Sequence, residues 1–471
     1  MAIAAVGTLG TGANSTSNST FTFVTVTNSL AAGDIGILTV ASDNIATADG
    51  SSLNHVLPSG GTGLWSRLRE YTNAPSAAAA VGATVSMWKF EATGTVNTGT
   101  TITVNFSGNL TDKCCSFHKF TVGAGNTLML NRTGAEEGSI TSEVTGANGF
   151  GSSAFTGLSS ISRLYFRGLA KEANSTTDIT VSTSFTAITP TRSRNNAAAI
   201  LVRGEFRIVT ATGQTSNPTL AVSGDTAGIF LALEEVAKVA PTALTDNFDD
   251  NSIDGAKWVD VSSGSGTIAE TNQRMELTAT SGADSFPAVA SVNVYDMTGS
   301  AVYAMLVDFD QVSTDFDYTA LRLSVDGGSY AWSIAGDSAP TNIHANKVEN
   351  DISIAFTGSN GSDIFVTTYI PADHAWFRIR HETSDDKIYW DTAPSSASNP
   401  PLSGDWINRW SEARAMSLNI RARLEGHNFT QANASTHVWD GFNTGTVAAI
   451  QQPTRYQTVV VSQAVHRSAI H

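Results

Sequence analysis

Apolar and polar residues alternate along most of this chain with a period of two. In "MSLNIRARL" the residues Met416, Leu418, Ile420, Ala422 and Leu424 fall on one face, and Ser417, Asn419, Arg421 and Arg423 on the other. "VYAMLVDFD" groups Tyr303, Met305, Val307 and Phe309, and "LRLSVDGG" alternates into a turn at Asp326, Gly327 and Gly328. Runs of this kind, bounded by Gly, Asn, Asp and Ser, predict half-buried antiparallel strands. No stretch of helical period competes with them. The predicted fold class is all-β.

The strand signals fall into two related series and a third block. The first series reads "GDIGILTVASDN", "LWSRL", "VSMWKFEATG", "TITVNFSG" and "SFHKFTVG". The second reads "SRLYFRGLAKEA", "SFTAI", "VRGEFRIVTATG", "TLAVSGD" and "IFLALEEV". The order is the same in both: an apolar strand, a short aromatic strand, one ending in Ala-Thr-Gly, one ending in Ser-Gly, and a closing apolar strand. Each series holds enough strands for a β-sandwich of about 100 residues, and the correspondence suggests a duplication. The expected units are residues 1–124 and 125–238. "AAGDIGILTV", the Trp65 strand and the aromatic strand ending at Gly94 resemble small β-sandwich repeats of tail and surface proteins in tailed bacteriophages.

At "EEVAKVAPTALTDNF" the composition changes. Pro241 interrupts, and seven of the nine tryptophans lie beyond residue 250. Residues 1–238 carry 15 acidic and 14 basic side chains, whereas 239–471 carry 27 and 13, so almost the whole net charge of −15 sits in the second half. That half offers no basic stripe to nucleic acid and would be repelled by an anionic membrane. No apolar run approaches a membrane span. Residues 239–450 are expected to form one larger domain, and 451–471 a tail that is loose or adds a strand to a neighbouring sheet.

"DNFDDNSIDGAKW", followed by "QRMELTA", "VYDMTGSAVYAMLV", "WFRIRHE" and "IYWDTA", resembles the concanavalin A-like lectin/glucanase family. The resemblance implies a jelly roll of two antiparallel sheets packed face to face. Phe248 and Trp258 would then pin its first strand to the core. Retaining glycosidases need two carboxylates about 5 Å apart, and this family's pattern supplies them from one strand as Glu-x-Asp-x-x-Glu. "ENDISI" has Glu349 and Asp351, but Ile354 stands in place of the second Glu. No catalytic residues are assigned, and no enzyme activity is expected.

Other candidate chemistry is thin. "GDSAP" at 336–340 matches the start of a serine-esterase motif, but no His follows an Asp by three residues. Cys114 and His118 would share a face of one strand; two ligands do not make a zinc site. The adjacent Cys114 and Cys115 would point to opposite faces and fit a reducing compartment. His466 and His471 lie in the tail, where solvated side chains are expected. Asp249, Asp250 and Asp254 could offer oxygens to Ca²⁺, although capping of turns is the simpler role. No metal or other cofactor is assigned. Trp406 and Trp410, in "SGDWINRW", are the best placed to stack on sugar rings. Trp332, Trp376 and Trp390 sit on strands and are expected in the core.

Together with the missing basic and apolar regions of a signal peptide at the N-terminus, these features suggest a non-enzymatic virion structural protein of a tailed phage, assembled in the host cytoplasm. Its partners would be other virion proteins and copies of itself, with no nucleic acid bound and no membrane insertion. One alternative is a carbohydrate-binding adhesin that grips host surface glycans through the last domain. A second is a polysaccharide hydrolase of unrecognised type.

Overall fold

The computed structural model describes residues 3–444, except 25–27, 44–54, 74–81, 131–149, 151, 173–174, 196–198, 223–224, 283, 311–316, 326–342, 350–352, 358–362, 415–417 and 429–433. Apart from a 3₁₀ turn at Pro241–Ala243, the described elements are all strands. No helix among the described residues is long and apolar enough to cross a membrane. The all-β expectation holds, as two small sandwich units followed by a larger jelly-roll sandwich.

The first unit contains β1 (Ala4–Asn14), β2 (Asn18–Val24), β3 (Ile35–Asp43), β4 (His55–Ser59), β5 (Gly63–Asn73), β6 (Ala83–Ala92), β7 (Thr101–Leu110) and β8 (Lys113–Thr121). They form a five-stranded sheet in the order β1-β8-β3-β6-β5 and a three-stranded sheet β2-β7-β4. Every residue of β6, and all of β3 except Asp43, is buried. Both faces of the larger sheet are covered, which is why these strands read as near-continuous apolar runs. Leu38, Val40, Trp88, Phe90 and Cys115 face the three-stranded sheet. Ile35, Ile37, Val85, Met87 and Cys114 face the second unit. The adjacent cysteines thus enter two different cores.

The second unit contains β9 (Asn126–Leu130), β10 (Ser153–Phe155), β11 (Ile161–Glu172), β12 (Ile179–Thr180), β13 (Thr186–Ala187), β14 (Thr191–Arg192), β15 (Ile200–Ala211), β16 (Gln214–Ser216), β17 (Thr219–Leu220) and β18 (Thr226–Val239). Its main sheet runs β13-β15-β11-β18, with β9 also paired to β18. This is the order β5-β6-β3-β8-β1 of the first unit, strand for strand along the two sequence series. Leu164, Phe166, Val202, Ile229 and Leu231 meet the first unit's sheet in one shared core. The contacts exchange when the units are swapped: β3 meets β15 as β11 meets β6, and β8 meets β15 as β18 meets β6. That is the pattern of an isologous interface inside a single chain. Gly168 lies at the centre, where an added Cβ would come within 2.9 Å of Thr39 and 3.0 Å of Met87.

The third unit is joined to the second by hydrogen-bonded backbone. The end of β18 pairs in parallel with the Val294–Asp296 strand, Lys238 opposite Val294 and Val239 opposite Tyr295. One sheet of the jelly roll is built around Asn419–Asn428 and Asp317–Val325. The other has seven strands in the order Thr267–Thr271, Arg274–Ala279, Ser435–Asp440, Ala301–Asp310, Trp376–Glu382, Lys387–Ala393 and Ile407–Ala413. Between them lies the largest core, which includes Leu321, Leu424, Phe377, Trp390 and Trp439.

Two local expectations take a different form. Leu418, Ile420, Ala422 and Leu424 face the core, but Asn419, Arg421 and Arg423 are buried too, since their face is covered rather than solvated. Arg423 and Arg322 share Glu425 at 2.9 and 2.7 Å, so the buried charges are paired. "ENDISI" is not one strand: the first strand ends at Glu349, the next begins at Ser353, and these two residues are paired. Asp351, Met416, Ser417, the turn at Asp326, the 336–340 motif, Trp332, His466 and His471 lie outside the described residues.

Candidate functional site

The aspartates of "DNFDDNSIDGAKW" anchor and cap the start of the jelly roll. Asp246 accepts bonds from the Phe248 backbone N–H at 3.1 Å and from Trp258 Nε1 at 2.8 Å. Phe248 and Trp258 are both buried, their rings 6.0 Å apart. Asp250 and Asp254 accept from the backbone N–H groups of Ser252 and Ala256, at 3.0 and 2.9 Å, as turn-capping Asx side chains do. Asp249 accepts from the side chain of Asn247. Nearby, burial and the neighbouring Asp250 push Glu270 up to about 7. Burial does the same to Asp440, to about 7. Among the described residues, no three His, Cys, Asp or Glu side chains converge as metal ligands.

The reactive-looking groups of the first two units are enclosed. His118 sits between the rings of Phe120 and Phe206, at 5.1 and 5.2 Å, and burial lowers its pKa to about 4. Cys114 Sγ donates to the Ile200 carbonyl, and burial raises both thiols. A pair that sequence reasoning missed is Ser42 and His55, with Oγ 2.8 Å from Nε2 and Ser86 Oγ 2.6 Å from Nδ1. No local motif announces it, because the three residues come from three strands. All three are fully buried, and burial brings His55 down to about 3.

The outer face of the seven-stranded sheet is different. Antiparallel register aligns Tyr303, Arg378, Asp391 and Asn408 in one row across four strands. Arg380 and Tyr389 share the next row on one side, and Met305, Trp376 and Ala393 share the next on the other. Period-two alternation dictates this grouping, since Phe377, Ile379, Ile388 and Trp390 point inward between them.

Within the face, aromatic rings and guanidinium groups interleave. The Arg378 guanidinium lies 4.2 Å from the Trp406 ring centroid, and that of Arg380 lies 4.1 Å from Tyr389. These are cation–π distances. Arg378 and Arg380 both donate Nε–H to Asp391 Oδ2, at 2.8 and 2.9 Å, while Asn408 Nδ2 donates to Oδ1 at 3.2 Å. Burial lowers the Arg378 pKa, and Asp391 opposes that shift. Tyr303 is 6.2 Å from Trp376 and 6.0 Å from Trp406, centroid to centroid. Next to Trp406, Ile407 is 48% exposed, and on the same loop Leu402 is 66% exposed. The loop is held by Asp405, which accepts from Ser398 Oγ at 2.6 Å and the Leu402 N–H at 2.7 Å.

The two tryptophans singled out from sequence therefore part company. Trp406 is half-buried on the outer face. Trp410 turns inward against Trp390, centroids 4.8 Å apart, and packs on the main core. A bulge between Trp390 and Asp391 in the pairing of these strands separates them; such an extra residue re-aims side chains. Trp376 and Trp390 are buried as expected, but Trp376 belongs to the cluster under the outer face. The face brings partly buried aromatic rings together with guanidinium groups that lie over two of them and a carboxylate shared between those guanidinium groups.

No family model matches the chain, and no curated protein matches it. Among solved structures, the metal-free carbohydrate recognition domain of Emp46p is similar over 44% of this chain and 98% of its own, at 9% identity and a TM-score of 0.32. A legume lectin-like domain from Entamoeba histolytica is similar over 40% of this chain and 88% of its own, at 10% identity and a TM-score of 0.29. A truncated AlyQ with CBM32 and alginate lyase domains covers 67% of this chain and 96% of its own, at 10% identity and a TM-score of 0.27.

Proposed function

We propose that this protein is a carbohydrate-binding protein that holds glycans on the outer face of its seven-stranded sheet. The observation that carries this reading is the half-buried Trp406 beside Tyr303, with the Arg378 guanidinium 4.2 Å from its ring and the shared Asp391 in the same row. Pyranose rings are apolar on their C–H faces and polar at their edges. Aromatic platforms flanked by charge-assisted hydrogen-bonding groups match both properties. The separation of Glu349 from Ile354 onto two strands, with Ile354 in the core, favours binding over glycoside hydrolysis. Intact protein and its Trp406→Ala variant on a glycan array test the proposal. Saturable binding by the first and not the second is expected; absence of binding by either would remove it.

A role as an attachment component of a particle, such as a phage virion, is the second reading. It is supported by the joining of the units, with one core shared by the first two and a short strand pairing into the third. Mass spectrometry of purified particles tests it, and absence of the chain from them would exclude it.

A further inference from the structure

The cations of the jelly roll are not spread evenly. Residues 239–444 carry 27 acidic and 11 basic side chains, and four of the basic ones, Arg322, Lys347, Arg421 and Arg423, are buried. Of the seven that remain, Arg378, Arg380, Lys387, Arg409 and Arg414 lie on or directly after three adjacent strands, Trp376–Glu382, Lys387–Ala393 and Ile407–Ala413. A strongly acidic domain thus gathers its partly exposed positive charge at one end of the seven-stranded sheet, where it locally offsets the repulsion of anions.

Two of these cations share one carboxylate. Arg378 Nε, Arg378 Nη2 and Arg380 Nε lie 2.8, 2.8 and 2.9 Å from the same oxygen, Asp391 Oδ2. The Asp391 side chain is 1% exposed, whereas those of Arg378 and Arg380 are 18% and 25% exposed, so the negative charge is covered and the positive charges reach solvent. Burial lowers the Arg378 pKa and Asp391 opposes it, but the charge of Arg380 lowers it again; the two guanidinium groups still repel each other. Glu382 lies 3.4 Å from Arg380 Nη1 at 43% exposure, where solvent screens such a pair. Asp385 is taken up by Tyr389 and Lys387, and Asp386 by His381 and Arg414. Arg380 Nη2 makes no hydrogen bond to a described residue.

A second anion would relieve that repulsion and accept the N–H groups that Asp391 leaves. Guanidinium forks match the oxygens of a carboxylate or a sulfate, and these charge-assisted bonds are about twice as strong as neutral ones. We propose that the outer face takes an acidic glycan, whose carboxylate or sulfate group is held by Arg378 and Arg380 beside Tyr389 and Trp406. The proposal rests on the glycan-binding reading and adds the charge class of the sugar. One charge-assisted bond is enough for the acidic member of a matched pair to bind about tenfold more tightly than the neutral one.

The probes are glucose, galactose and mannose oligosaccharides, each beside its uronate and its sulfate-ester counterpart, titrated calorimetrically against the full chain at low and at raised salt. Tighter binding of the acidic member, with a gap that narrows as salt screens the charges, supports the proposal. A gap confined to the uronates identifies a carboxylate as the source of the charge, and one confined to the esters a sulfate. In Arg380→Gln the acidic and neutral members should bind alike, and its thermal transition checks that it folds. Equal affinity within every pair, or a gap in the parent protein that salt does not narrow, would overturn the acidic class while leaving the glycan platform standing. A preference that survives Arg380→Gln would place the anion elsewhere and also overturn it. Binding to no member of any pair would remove the platform and the acidic class together.

Discussion

Glu91 Oε1 accepts a hydrogen bond from Lys238 Nζ at 2.6 Å, joining residues 147 positions apart. Its other oxygen accepts from Thr127 Oγ1 at 2.6 Å and from the Asn419 side chain. One buried carboxylate therefore touches the first unit, the start and end of the second, and the jelly roll. Glu91→Ala would leave the buried ammonium of Lys89, 3.9 Å away, with less compensation, and would remove one acceptor from Thr127 and one from Asn419. Breaking a buried pair costs about 3–5 kcal/mol. Chemical denaturation should show a loss of that order. Lys238→Ala should cost less, because that side chain is 21% exposed.

Trp406 and Trp390 should separate binding from stability. Trp390 is fully buried, and Trp390→Ala should cost about 3–5 kcal/mol in unfolding free energy. Trp406→Ala should change stability far less but weaken glycan binding by about 2 kcal/mol or more, as aromatic anchors do. Calorimetric titration and thermal denaturation of the two variants check both halves.

Asp440 makes stability depend on pH in a defined direction. Its folded pKa of about 7 lies above the ordinary carboxylate range, because burial outweighs the Gly441 N–H and Arg274. The folded state thus binds a proton that the unfolded chain has already released. Its stabilising contribution is complete below about pH 4 and is lost as pH rises through about 7. Buried His55 and His437, both lowered to about 3 by burial, act the other way: the unfolded chain protonates them as pH falls below about 6.5. The difference between Asp440→Asn and the parent protein isolates the carboxylate. That variant should gain stability relative to the parent between pH 5 and pH 8. A constant difference across this range would contradict the assignment.

Gly168→Val should wedge the first two units apart. Even a Cβ would press on Thr39 and Met87 at about 3 Å, and both belong to buried strands that cannot move without disturbing the sheet. Overpacking of this kind costs about 1–3 kcal/mol. The variant should melt earlier and bind a hydrophobic dye before the jelly roll unfolds.

Neither cysteine should react with a thiol reagent in the native protein. Both are fully buried and their thiols are raised by burial, and only thiolates attack. Two equivalents should react once denaturant unfolds the chain, and none before.

By itself the sequence determined the strands and their grouping. Period-two alternation identifies Leu418 to Leu424 as a core face, and the repeated order of strand types in the first two series reappears as one sheet order. Turn chemistry was legible at Asp250 and Asp254, whose bonds reach only two residues along the chain. What alternation cannot say is what covers each face. Arg421 and Arg423 read as solvent-facing and are buried, because the matter covering a sheet comes from elsewhere in the chain. Only the tertiary structure brought Tyr303, Arg378, Asp391 and Trp406 together, turned Trp410 away from them, and assembled Ser42, His55 and Ser86. Local pattern fixes the direction of a side chain relative to its own strand; which strands become neighbours is decided by the packing of whole sheets.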